Sequence, residues 1–135
     1  MITGLLFGTF DELHEGHRVM LREARTLADH LTVVLPPDDA VATMKGHAPV
    51  QSWTVRAEGL RSSGLVEIVI EGDREMGTYT VLNNIRPNII FVGYDQQDLA
   101  KDLERYFQTH PTTATIRTLS PYQPERYKSS ILRNV

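Results

Sequence analysis

The chain contains no cysteine, which excludes disulfides, thiolate nucleophiles and cysteine-ligated metals. It has no excess of positive charge. With 14 Lys and Arg against 17 Asp and Glu, the formal net charge is -3, which argues against a protein that grips the backbone of DNA or RNA. No apolar run is long enough to span a bilayer, and the amino terminus enters a strand-like stretch without a basic start and apolar core. Neither a membrane span nor a signal peptide is therefore expected, and the expected location is cytoplasmic. Internal repeats and low-complexity tracts are also missing. What remains is ordinary globular composition, 41% hydrophobic and 23% charged, in a chain of 135 residues. That length suits one compact domain over residues 1–135 and is too short for two.

Short β-rich runs alternate with helical patterns. Ile2 to Phe7, Leu31 to Leu35, Leu65 to Ile70, Ile89 to Val92 and Thr115 to Leu119 read as strands. The second and fourth are nearly continuous aliphatic runs, as expected for strands covered on both faces. His17 to Ala28 places Met20, Leu21, Ala24, Leu27 and Ala28 on one helical face, and Gln51 to Arg61, Thr78 to Ile85 and Leu99 to Gln108 are further helices. About five strand–helix alternations predict an α/β fold: one doubly wound, Rossmann-like parallel sheet with helices on both faces. Pro36 to Val50, rich in proline and aspartate, reads as a mobile loop. Ser120 to Tyr127 reads as a second loop, followed by a short final helix starting at Ser129 or Ser130.

The densest chemistry lies between the first strand and the first helix, in Gly8-Thr9-Phe10-Asp11-Glu12-Leu13-His14-Glu15-Gly16-His17. The carboxyl end of a strand in such a sheet is where ligands bind. Gly8 lets backbone approach a ligand closely, and Gly16 keeps the helix entrance uncrowded, so that free N–H groups and the helix dipole can hold a phosphate. His14 and His17 are three apart and face the same way if the first turn is already helical. Two imidazoles there can donate hydrogen bonds to phosphate oxygens. The local reading is a triphosphate cradle. Zinc fits poorly, because metalloprotease helices space their histidines four apart and only two protein ligands are visible.

Gly-Thr-Phe-Asp-x-Leu-His-x-Gly-His resembles the signature of the cytidylyltransferase-like nucleotidyltransferases, the HxGH superfamily that includes glycerol-3-phosphate cytidylyltransferases and archaeal-type FAD synthases. The resemblance implies contacts from Gly8, Thr9, Phe10, His14 and His17 to the nucleotide, with Asp11 toward the acceptor. Phe91-Val92-Gly93-Tyr94-Asp95-Gln96 is similar to the family's Gly-x-Asp segment, which implies that Gly93, Asp95 and Gln96 lie beside base and ribose. Asp95 also suits a helix cap, and both roles can coexist. Arg126-Tyr127-Lys128-Ser129-Ser130 resembles the family's final motif, implying phosphate contacts from Arg126, Ser129 and Ser130. The long, glycine-free loop between Arg117-Thr118 and Ser129-Ser130 departs from the cytidylyl pattern and leans toward the FAD synthase-like branch.

Two cations complete the candidate site. The family often carries a lysine-bearing segment after the second strand, where Lys45 stands in Met44-Lys45-Gly46-His47; this implies a catalytic and acceptor-binding role, against the alternative of a solvated surface lysine. Arg56, on the following helix, matches a common family arginine and suits an anionic acceptor group; an exposed ion pair with a neighbouring carboxylate is the equal alternative.

Together these residues predict transfer of a nucleotidyl group from CTP or ATP to a small phosphorylated acceptor, releasing pyrophosphate. Mg²⁺ is the expected cofactor, bridging phosphate oxygens and keeping several waters. A homodimer is implied by the resemblance, and neither nucleic acid nor membrane is an expected partner. The alternative class is a nucleotide-binding regulatory protein that has lost catalysis; the two histidines and the Ser129-Ser130 pair argue against it.

Overall fold

A computed structural model describes residues 1–75 and 77–121. The first strand, β1 (Thr3–Phe7), is central and parallel to both neighbours: β2 (His30–Leu35), with Leu6 opposite Val33, and β4 (Ile89–Val92), with Leu6 opposite Phe91. β3 (Ile68–Glu71) pairs with β2, and β5 (Thr115–Thr118) with β4. The resulting order, β3-β2-β1-β4-β5, is an all-parallel, doubly wound sheet. Winding reverses between β1 and β4, so the crevice beyond their carboxyl ends is the place for a ligand.

Helices cover both faces. Leu6 faces a core shared with α1 (Glu15–Leu27) and α3 (Trp53–Ser62), where Leu21, Ala24, Ala57, Leu60 and Phe91 are buried. Leu5, its neighbour in the strand, faces the opposite core with Ile90, Val92 and the buried Ala100 and Leu103 of α5 (Gln97–Thr109). This alternation of successive side chains fixes the register, since a slip of one residue would exchange the two cores. Among the described residues, no helix is long and apolar enough to cross a membrane.

Three sequence expectations need correction. Pro36 to Val50 is not wholly a loop: it contains the helix α2 (Asp38–Lys45). Asp38 and Asp39 in the first turn and Lys45 in the last complement the helix dipole, and Gly46 ends the helix at φ +80°. Only Ala40 and Val41 are buried on it, too few to produce a visible apolar stripe. The third strand begins at Ile68 rather than Leu65, because Leu65 and Val66 pack against the α1/α3 core before the pairing starts. The helix expected over Thr78 to Ile85 shrinks to α4 (Val81–Asn84). There Tyr79 is left-handed (φ +45°), and the Asp73 carboxylate accepts the Thr80 N–H. The final helix expected at Ser129 or Ser130 lies outside the described residues.

Candidate active site at the carboxyl ends of the central strands

Where the turn after β1 enters α1, two histidines cap the helix. His14 is the N-cap of α1, and its Nδ1 accepts the Gly16 N–H at 3.1 Å. His17, in the first turn, returns the contact: its Nδ1 accepts the His14 N–H at 3.2 Å. This is a capping box built from two imidazoles, with the rings stacked 3.8 Å apart and 22° from parallel. It satisfies two helix N–H groups that would otherwise lack partners.

A nitrogen that accepts a backbone N–H carries no proton, so the cap fixes each ring in the tautomer protonated at Nε2. The electrostatics agree. Burial, then the charge of Arg18, lowers the pKa of His14. Burial is also the largest effect on His17, reinforced by His14, Lys45 and Arg18 and opposed by Asp11, and brings it to about 3. Both rings are thus neutral near pH 7, each with one N–H to offer. A tilted Phe10 ring lies 5.2 Å from the His17 ring.

Packing explains the glycines of this turn. A Cβ on Gly16 would stand 3.0 Å from Cε1 and 3.1 Å from Nδ1 of His14, and one on Gly8 would stand 2.5 Å from the buried Phe10 ring. The backbone between them bends sharply: Phe10 and Glu12 sit at φ +50° and +51°. Left-handed backbone costs non-glycine residues about 1–2 kcal/mol each, so neighbouring groups must hold it. They do so from far along the chain. The Asp11 carboxylate accepts the N–H groups of Val50 (2.7 Å) and Gln51 (2.9 Å), and the Gln51 side chain accepts the Glu12 N–H at 3.1 Å.

The sequence-level assignments divide at this point. His14, His17, Gly8, Thr9 and Phe10 form one turn, and Lys45 ends α2 near enough for its charge to act on His17. Asp11 does not stand free for an acceptor; it ties the turn to the segment before α3. Arg56 fits neither reading made from the sequence. It is 1% exposed, and its guanidinium is occupied by Thr9 O, Pro36 O, Gln51 O and Asp38, so it has no free edge for a substrate. After β4, Gly93 is buried beside the switch point. Gln96 spends its amide internally, accepting the Gly93 N–H at 2.7 Å and donating to Phe7 O at 3.0 Å, and so does not present that edge to a base. Asp95 is exposed, while Gln96 rather than Asp95 occupies the N-cap of α5. Arg126, Ser129 and Ser130 lie outside the described residues.

Two groups escaped the sequence reading. Arg18 acts on both histidines, and its place directly after His17 was the available signal. Gln51 braces the turn across 39 residues, a pairing with no local signature.

The chain is similar to known proteins along most of its length. The family profile described as cytidylyltransferase-like matches residues 5–135. A relative from Aciduliprofundum boonei, named FAD synthase, is 36% identical over 104 residues, covering 77% of this chain and 68% of that protein. The FAD synthase of Thermococcus sibiricus is 30% identical over 133 residues, covering 98% and 85%. Among solved structures, a protein from Thermoplasma volcanium described as a lipopolysaccharide core biosynthesis protein superposes with a TM-score of 0.82 at 29% identity, covering 91% of this chain and 99% of that one. The chain belongs to the cytidylyltransferase-like family and is a nucleotidyltransferase.

Proposed function

We propose that the chain transfers an adenylyl group from ATP to FMN, with the turn from Gly8 to His17 holding the triphosphate. The single observation that carries this reading is the histidine capping box: each Nδ1 is occupied by a backbone N–H, leaving two neutral Nε2–H donors at a helix N-terminus beside the switch point. Relatives named FAD synthase support ATP and FMN as the pair. The opening motif favours CTP and glycerol 3-phosphate as the second pair.

In this reading a phosphate oxygen of FMN attacks the α-phosphorus of ATP. The new P–O bond forms as the bond to the bridging oxygen breaks, and pyrophosphate leaves with the electron pair. His14 and His17 donate to oxygens that gain charge, a contribution of about 3 kcal/mol for a well-placed donor. Lys45 and Arg18 offset the negative charge of the polyphosphate. Backbone of Gly8, Thr9 and Phe10 lines the phosphates, while Gly93 and Asp95 border base and ribose, with Arg126, Ser129 and Ser130 as partners from the carboxyl-terminal motif.

Mg²⁺ enters as the companion of the nucleotide. Among the described residues, no three His, Asp or Glu side chains converge to cage a metal, and the Asp11 carboxylate already receives two backbone N–H groups. The reading is of an ion held mainly by the nucleotide's phosphates and water, and no step is routed through it. A homodimer belongs to the same proposal on family resemblance, and sedimentation velocity checks it.

The test is pyrophosphate release from the purified chain with ATP, CTP and Mg²⁺, offered FMN and glycerol 3-phosphate in turn. Release with ATP and FMN is expected. Selective release with CTP and glycerol 3-phosphate would move the chain to the cytidylyl branch, and nucleotide binding without turnover on either pair would favour a regulator.

A further inference from the structure

We propose that Arg56 is a positioning residue for nucleotidyl transfer: from inside the core it fixes the turn bearing His14 and His17 relative to the helix that ends at Lys45. The inference rests on the reading that these side chains handle the nucleotide phosphates.

Four acceptors from three segments of the chain converge on one guanidinium. Nη1 donates to Thr9 O (3.1 Å) in the turn after β1, and Nη2 to Pro36 O (2.9 Å) just after β2. Nη2 also meets Asp38 Oδ1 (2.8 Å) at the start of α2, while Nε donates to Gln51 O (3.2 Å) ahead of α3. Thr9 O belongs to the residue immediately before left-handed Phe10, and Gln51 is the residue whose side chain and N–H hold Glu12 and Asp11. Arg56 therefore acts on the strained turn twice, once directly and once through Gln51. Its ion pair with Asp38 reaches the same helix that carries Lys45 at its other end.

This arrangement is a poor choice for stability alone. The Arg56 side chain is 0% exposed while its one acidic partner is 50% exposed, so a fully desolvated cation is matched mainly by neutral carbonyls. An apolar side chain would avoid that desolvation cost. The planar guanidinium offers donors in several fixed directions at once, which sets the relative placement of the segments it joins; a lysine ammonium keeps the charge without that geometry. Misplacement of reacting groups by about 1 Å costs up to about 100-fold in rate, so a fixture of this kind belongs to the reaction even though it touches no substrate.

The test compares wild type, Arg56→Lys, His17→Ala and the double variant by turnover with the wild type's substrate pair. It also follows the imidazole ¹⁵N signals of His14 and His17 in the free protein. Arg56→Lys is expected to lower kcat by about 30-fold, with a change in KM for ATP below about threefold, and to shift both imidazole signals while the protein remains folded. In the His17→Ala background the same change should cost less than about tenfold, because one of the groups it positions is gone. Unshifted imidazole signals, or an equal kcat loss in both backgrounds, would overturn the proposal. Shifted signals alongside normal turnover of His17→Ala would instead remove the catalytic reading of the histidines and leave the positioning intact. Should Arg56→Lys fail to fold, Asp38→Asn at the half-exposed partner takes its place with the same two readouts; a severalfold kcat loss with shifted signals is expected, and no change in either overturns the proposal.

Discussion

The turns after β1 and β4 lie side by side at the centre of the sheet and are held in opposite ways. The β4 turn closes on itself: Gln96 N–H donates to Gly93 O, Gly93 N–H donates to the Gln96 side chain, and one further bond reaches Phe7 O. The β1 turn contains two left-handed non-glycine residues and is braced by Gln51 and Arg56, which lie 39 and 47 residues away. The β4 turn spends its amide on Gly93 N–H and Phe7 O. The externally braced turn keeps its histidine Nε2–H groups for a ligand, since distant segments carry the cost of its shape. A donor pair that must meet a transition state gains from such external bracing, because its own polar edges stay available.

The comparison can be broken by removing groups from each turn and following turnover. His14→Ala or His17→Ala should cut turnover by about 100-fold or more, about 3 kcal/mol, and also lower stability by about 0.5–2 kcal/mol through the lost cap bond; near-normal rates would equalise the two turns. Gly16→Ala is next. Its Cβ would crowd the His14 ring at 3.0 Å, and displacing one donor should cost about tenfold, or about 1.4 kcal/mol, in steady-state kinetics.

Gln96→Leu should act on stability rather than rate. It leaves Gly93 N–H and Phe7 O without their side-chain partner, so the urea midpoint should drop by an amount equivalent to about 1–3 kcal/mol while turnover of the folded protein stays within about threefold. A large kcat loss without loss of stability would show that the β4 turn contacts substrate through this amide.

A further effect on stability is its pH dependence. His17 is held neutral in the folded chain down to about pH 3, whereas in the unfolded chain it takes up a proton near its ordinary value of 6.5. Between these values the unfolded state binds more protons, so stability falls as pH falls through this window. Asp73 and Glu67, whose pKa values are lowered, add losses in the same direction only in the carboxylate range. Urea midpoints at pH 7 and pH 5 isolate the histidine part: the drop should be larger for wild type than for His17→Gln.

The legible parts of the fold are those with local patterns. β2 and β4 are nearly unbroken aliphatic runs because helices cover both their faces, and α1 shows its stripe because Leu21 and Ala24 face one core. The candidate turn was legible for the same reason, since glycine and histidine spacing lies within ten residues. α2 was not, having only two buried residues. Arg56 could not be read correctly from its helix either. It shares the buried side with Ala57 and Leu60, and nothing in Trp53 to Ser62 reveals that three carbonyls and a carboxylate from elsewhere await it. Long-range polar closure depends on where the chain returns in space, which no local window records.

The most direct test of the neutral donor pair is the ¹⁵N spectrum of the His14 and His17 side chains in the wild-type protein at pH 6.5. Both rings should be neutral, with the proton on Nε2 and Nδ1 accepting from the backbone. An imidazolium signature, or a proton on Nδ1 of either ring, would contradict the account.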